Sequence, residues 1–123
     1  MLRLLLDEHI APAVATGLRR RHKTLMVHAI SEWEQGTFLG RDDAACLAEA
    51  TRQSLTFVTY DRRTIPPLLK RWAEEGRSHA GVIFIDDHTI APGNVGGIVR
   101  ALSALIREAG ASDWRDRIAF LRR

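Results

Sequence analysis

The sequence predicts a single α/β domain, a three-layer sandwich around a mostly parallel sheet of four to five strands. Two observations support this. Short apolar runs at residues 2–6, 24–28, 55–59 and 81–85 alternate with stretches of helical periodicity, and such alternation is the signature of strands joined by crossover helices. The runs are also apolar at consecutive positions, as expected of strands covered on both faces.

Leu2–Leu6 forms the first strand, interrupted only by Arg3. Ile10, Val14 and Leu18 follow at helical spacing, with Pro12 tolerated in the first turn. Thr24–His28 reads as the second strand. Residues 29–41, with Gly36 and Gly40, read as a loop holding one helical turn. Asp42 or Asp43 caps a helix over about residues 43–53. Leu55–Thr59 is the third strand. Thr64 caps the next helix, whose stripe is Ile65, Leu68, Leu69 and Trp72. Gly81–Ile85 is the fourth strand. The strongest helical stripe comes next, Val95, Ile98, Val99, Leu102, Leu105 and Ile106, ended by Gly110. Arg117–Leu121 is the candidate fifth strand. All crossovers are expected to be right-handed.

Composition narrows the functional classes. No apolar run approaches the roughly 18 residues of a membrane span, and Asp7 and Glu8 interrupt the apolar start too early for a signal peptide. The expectation is a cytoplasmic protein with no membrane contact. Cys46 is the only cysteine, which excludes an internal disulfide, and its alanine-rich surroundings suit a small buried hydrophobe better than a thiolate. Net charge is +3, permitting a polyanionic partner without demanding one. The basic clusters at residues 19–23, 62–63, 70–71 and 122–123 read equally well as solvated helix ends.

The placement of acids is more informative. Asp7-Glu8 follow the first strand, Asp61 the third and Asp86-Asp87 the fourth. In open parallel sheets, ligands bind beyond the carboxyl ends of the strands. Asp43, at the start of the helix leading into the third strand, joins the same rim. Each acid alone reads equally as a turn or cap residue. Together they would repel one another, a conflict that a hard divalent cation such as Mg²⁺ or Mn²⁺ removes. His9, His22, His28, His79 and His88 are dispersed and show no zinc spacing.

At these positions the chain resembles a known family. Leu4-Leu5-Leu6-Asp7-Glu8-His9-Ile10, then Asp43 with Leu47 and Ala50, Phe57-Val58-Thr59-Tyr60-Asp61 and His79-Ala80-Gly81-Val82-Ile83 resemble the PIN-like proteins of the DUF5615 group, related to VapC-type toxin nucleases. The resemblance covers residues 2–86. It implies neighbouring first and third strands and a Mg²⁺ or Mn²⁺ site of Asp7, Asp43 and Asp61, supplemented by Glu8 and Asp86. It also implies hydrolysis of RNA phosphodiester bonds, as the toxin of a prokaryotic toxin–antitoxin pair restrained by a cognate antitoxin protein. Thr59 would then orient a ligand or water, and Arg62, Arg63 and Arg77 would meet phosphates.

Two positions depart from the pattern: His9 stands where Asn is expected, and Arg63 where a further acid is common. They support an alternative reading, a catalytically weak or inactive module that binds a protein partner. A phosphoacceptor receiver is disfavoured because no Lys follows Lys70. Trp33 and Tyr60 are candidates for either base stacking or packing, and Trp72 and Trp114 for an exposed homodimer patch.

Overall fold

In the computed structural model, which describes residues 2–122, five parallel strands form one sheet. They are β1 (Arg3–Leu6), β2 (Met26–Ala29), β3 (Thr56–Thr59), β4 (Val82–Phe84) and β5 (Ile118–Phe120), in the order β2-β1-β3-β4-β5. Four helices alternate with them: α1 (Pro12–Arg21), α2 (Asp43–Arg52), α3 (Ile65–Glu74) and α4 (Val95–Ala109). The expected three-layer sandwich is therefore present, including the fifth strand. Residues 30–41 are irregular, with a short turn at Trp33–Gly36 in which Glu34 and Gln35 take positive φ. Among the described residues, no helix is long and apolar enough to cross a membrane.

Period-two alternation divides the sheet between two cores. Leu4, Leu6, Val27, Val58 and Ile83 pack with α1 and α4, whereas Leu5, Phe57, Val82 and Phe84 pack with α2 and α3. The parallel register explains the agreement from strand to strand: Leu5 pairs Phe57, which pairs Val82, and Leu6 pairs Val58, which pairs Ile83.

This division overturns the expectation of uniformly right-handed crossovers. The α1 connection moves from β1 to β2 on one face, and the α2 and α3 connections step the other way on the opposite face, so all three share one hand. From β4 to β5 the chain continues in the α3 direction, but α4 lies on the α1 face. The last crossover has the opposite hand. Burial supplies the reason. Without α4, one helix would have to cover Leu4, Val58, Ile83 and Ile85, and each such side chain left in water costs about 1.5–3 kcal/mol. The loop after β4 carries the chain over the sheet edge, pinned where the Tyr60 hydroxyl donates to the Ile90 carbonyl at 2.7 Å. Close approach of α4 to α1 occurs at Gly17, where a Cβ would sit 2.9 Å from Val99 Cγ2.

Trp72 and Trp114 form no exposed patch, contrary to the sequence expectation: they are 3% and 5% exposed. The Trp114 indole N–H donates to the Ala109 carbonyl at 2.9 Å. Amphipathic packing explains both, since each ring completes a core stripe while its polar edge or an Arg covers the rim.

Gly81 enters β4 with φ +103°, and a Cβ there would lie 2.7 Å from the Trp114 carbonyl oxygen. Its N–H donates to Nδ1 of buried His79 at 3.0 Å. Only glycine satisfies both the dihedral and the approach. Gly81→Ala is expected to destabilise the chain by about 2–4 kcal/mol in urea denaturation.

Candidate active site

The acidic rim begins with the register. Leu6 pairs with Val58, so the next residues, Asp7 and Thr59, lie opposite each other at the carboxyl ends of β1 and β3, on the α2/α3 side. Asp7 is 5% exposed and Thr59 fully buried. The Thr59 hydroxyl donates to Asp7 Oδ2 at 2.7 Å and accepts from the Asp61 N–H at 2.9 Å. Asp7 Oδ1 accepts from the Glu8 N–H at 2.7 Å. One hydroxyl thus ties two adjacent strands and two site acids together.

Asp61 begins the turn into α3. Its Oδ1 accepts from the backbone N–H groups of Arg63 and Thr64, both at 2.8 Å. The Thr64 side chain makes no cap bond, so the capping expected of Thr64 is supplied by Asp61. At α2 the ambiguity between neighbouring acids resolves cleanly. Asp42 is the N-cap, accepting from the Ala45 N–H at 2.8 Å, which leaves the Asp43 carboxyl free for the rim. Both helices direct their amino termini, the positive ends of their dipoles, toward these acids.

Electrostatics shows Asp7 and Asp61 both acting on Asp43. Burial, then a hydrogen bond with Asp61 and the charges of Asp61, Asp7 and Glu8, push Asp43 up to about 6. Asp61 moves the other way. Burial works against its charge, but the backbone amides of Thr64 and Arg63 and the hydrogen bond from Asp43 outweigh it and hold it below the usual carboxylate range. Cys46 stands beneath this rim, 2% exposed. Burial and the charges of Asp7 and Asp43 push its thiol up to about 11, so it packs as a hydrophobe and is no nucleophile.

Among the described residues, no Lys, Arg or His side-chain nitrogen lies within 4.0 Å of the Asp7, Asp43 or Asp61 carboxylates. Three carboxylates that lack a cationic partner, one of them with its proton affinity raised by the other two, fit a hard divalent ion. They are not drawn up as one tight set. Among the described residues, only Asp86, Asp87 and His88 have donor atoms all within 4.8 Å of one another. That second group consists of consecutive residues on an exposed turn. Its Asp86 is already engaged by the His88 N–H at 2.8 Å and by Arg62 at 3.1 Å. Sequence reading missed the grouping because His88 was weighed apart from the acids beside it.

The remaining expected residues divide. Glu8 is exposed on the rim, and its charge reaches Asp43. Arg63 is exposed beside Asp61 and, with His9, Tyr60, Arg62, Thr64 and Asp87, lines a shallow cleft of about 550 Å³. Arg62 is paired with Asp86, so Asp86 is bound to an arginine rather than turned toward the three acids. Arg77 is not at the site. It follows α3 at the opposite, amino-terminal edge of the sheet, with its guanidinium 3.9 Å from the Trp72 ring centroid. Trp33 is 3% exposed and packs on Phe38 at 4.9 Å, while Tyr60 is held by Ile90. Both aromatics are packing residues here.

Two outcomes follow. Thr59→Val keeps the shape but removes the shared hydroxyl, and is expected to lose about 1–3 kcal/mol in denaturant titration. Asp43 binds its proton more readily folded than unfolded, so in EDTA it adds stability as pH falls through about 6 toward 4 and withdraws it as pH rises through about 6. The melting temperature of wild type should therefore rise relative to that of Asp43→Asn between pH 7 and pH 5. No protein-family model, curated protein or solved structure matches this chain.

Proposed function

We propose that this chain is a Mg²⁺- or Mn²⁺-dependent endoribonuclease of PIN-like type, hydrolysing RNA phosphodiester bonds and restrained by a cognate antitoxin protein. The single observation in its favour is the rim itself: Asp7, Asp43 and Asp61 arrive from three different elements at one sheet edge with no cationic partner within 4.0 Å. The sequence resemblance described above supports the substrate class and the restraining partner.

A bound divalent ion would supply an activated water and a counter-charge for the phosphoryl oxygens. The chain's own residues have distinct tasks. Asp7 and Asp61 present fixed oxygens, because Thr59 and the α3 amides lock their carboxylates in place. Asp43, at the first turn of α2, holds a proton up to about pH 6 and releases it to serve as the third ligand. Arg63 is placed to neutralise a substrate phosphate beside Asp61, and Arg62 can do so only by exchanging Asp86 for that phosphate.

The test is cleavage of a mixed single-stranded RNA panel in Mg²⁺, Mn²⁺ or EDTA. Wild type should cut only with metal, and Asp7→Asn and Asp61→Asn should each fall by at least roughly a hundredfold. Mn²⁺ should also raise the melting temperature of wild type and not of the variants. Cleavage surviving both substitutions would sink the site. A metal-dependent melting shift without cleavage would favour the partner-binding module instead.

A further inference from the structure

Building on the RNA substrate proposed above, we infer that Asp86 competes with substrate phosphate for Arg62. It holds the guanidinium until a phosphodiester displaces it, and so sets how tightly the site grips RNA. Two adjacent arginines, Arg62 and Arg63, are exposed and line the cleft beside Asp61. They are in different states. Among the described residues, Arg63 has no carboxylate within 4.0 Å of its guanidinium, whereas Arg62 Nη1 donates to Asp86 Oδ2 at 3.1 Å.

The pair bridges two strand ends. Arg62 lies in the turn after β3 and Asp86 in the turn after β4, and the guanidinium also sits 5.7 Å from the Phe120 ring centroid on β5. The turn that carries Asp86 does not need Arg62 to hold it. Asp86 Oδ1 accepts from the His88 N–H at 2.8 Å, and the Asp86 carbonyl accepts from the Thr89 and Ile90 N–H groups at 3.0 and 2.9 Å. The Tyr60 hydroxyl fastens the Ile90 carbonyl from the other side. Asp86 Oδ2 is therefore a fixed anionic oxygen, and the effect of the pair falls on the longer, freer arginine.

Carboxylate and phosphodiester offer the same kind of oxygen to a guanidinium, so one excludes the other. The Arg62 and Asp86 side chains are 52% and 35% exposed, and an ion pair so open to water is weak enough to exchange. Arg62 must break this pair for the phosphate contact it makes, while Arg63 breaks none. The exchange also replaces one anion by another at Arg62, which releases no net counterion. Wild type should therefore show one phosphate contact fewer in its salt dependence than a chain without the Asp86 charge.

Fluorescence anisotropy of a labelled single-stranded RNA in EDTA, over a salt series, reads this without cleavage. Asp86→Asn keeps the oxygen that accepts from the His88 N–H, so its circular-dichroism melt should stay close to that of wild type. It should bind about two- to fivefold tighter, with a log–log salt slope steeper by about 0.7. Adding Arg62→Gln to Asp86→Asn should abolish both gains. A gain that persists in the double variant is bulk charge alone and overturns the proposal, as does Asp86→Asn binding no tighter than wild type. RNA binding by none of these proteins overturns it too. The cleavage panel answers separately: the Asp86–Arg62 coupling without metal-dependent cleavage upholds this proposal and sinks the nuclease reading, and cleavage without the coupling does the reverse.

Discussion

The structure depends on the adjacency of β1 and β3 in parallel register. Pairing Leu6 with Val58 is what sets Asp7 against Thr59, and Thr59 in turn holds the Asp61 amide. A slip of one residue would turn Asp7 to the α1 face, among Leu4, Leu6 and Val58, where a carboxylate has no donor. The hydrophobic pattern and the acidic rim thus enforce one another. Leu5 and Phe57 fill the α2/α3 core only in the register that also completes the site.

That arrangement carries a conflict. Folding alone would favour a cation or a neutral group near Asp7, Asp43 and Asp61, since burial and mutual repulsion penalise their ionised forms. The chain answers with backbone donors and helix dipoles rather than with Lys or Arg. The amides of Glu8, Arg63 and Thr64 satisfy Asp7 and Asp61. Asp43 receives no such help and keeps the raised value. Neutralising the rim with arginine would stabilise the fold but occupy the oxygens that a metal needs. Arg62 shows this option in use one turn away, on Asp86.

Much of this was legible in the sequence because it is local. Apolar runs gave all five strands to within a few residues, and acids directly after strands gave Asp7 and Asp61. The roles of Asp42 and Asp43 could not be separated, since either spacing satisfies a cap and only the helix start decides. Tyr60 was ambiguous because its partner, Ile90, lies on a distant loop. Arg77 was misplaced because its charge was weighed without its position in the chain: it follows the carboxyl end of α3, and a ten-residue helix moves it about 15 Å from the rim. Trp72 and Trp114 were candidates for an exposed patch, but Arg77 and Arg117 lie over their rings.

The hand of the last crossover is where general rules of topology and the needs of this chain part company. A right-handed connection would have put α4 over β5 and hidden Ile118 and Phe120, at the expense of opening the sheet above Val58, Ile83 and Ile85. Among the described residues no further helix follows β5 to close that gap. Covering the central strands buries more apolar surface than covering a short edge strand, so the fold takes the rarer hand and leaves the edge uncovered. The exposed face of β5, with Ile118 and Phe120, is thus a consequence of core completion.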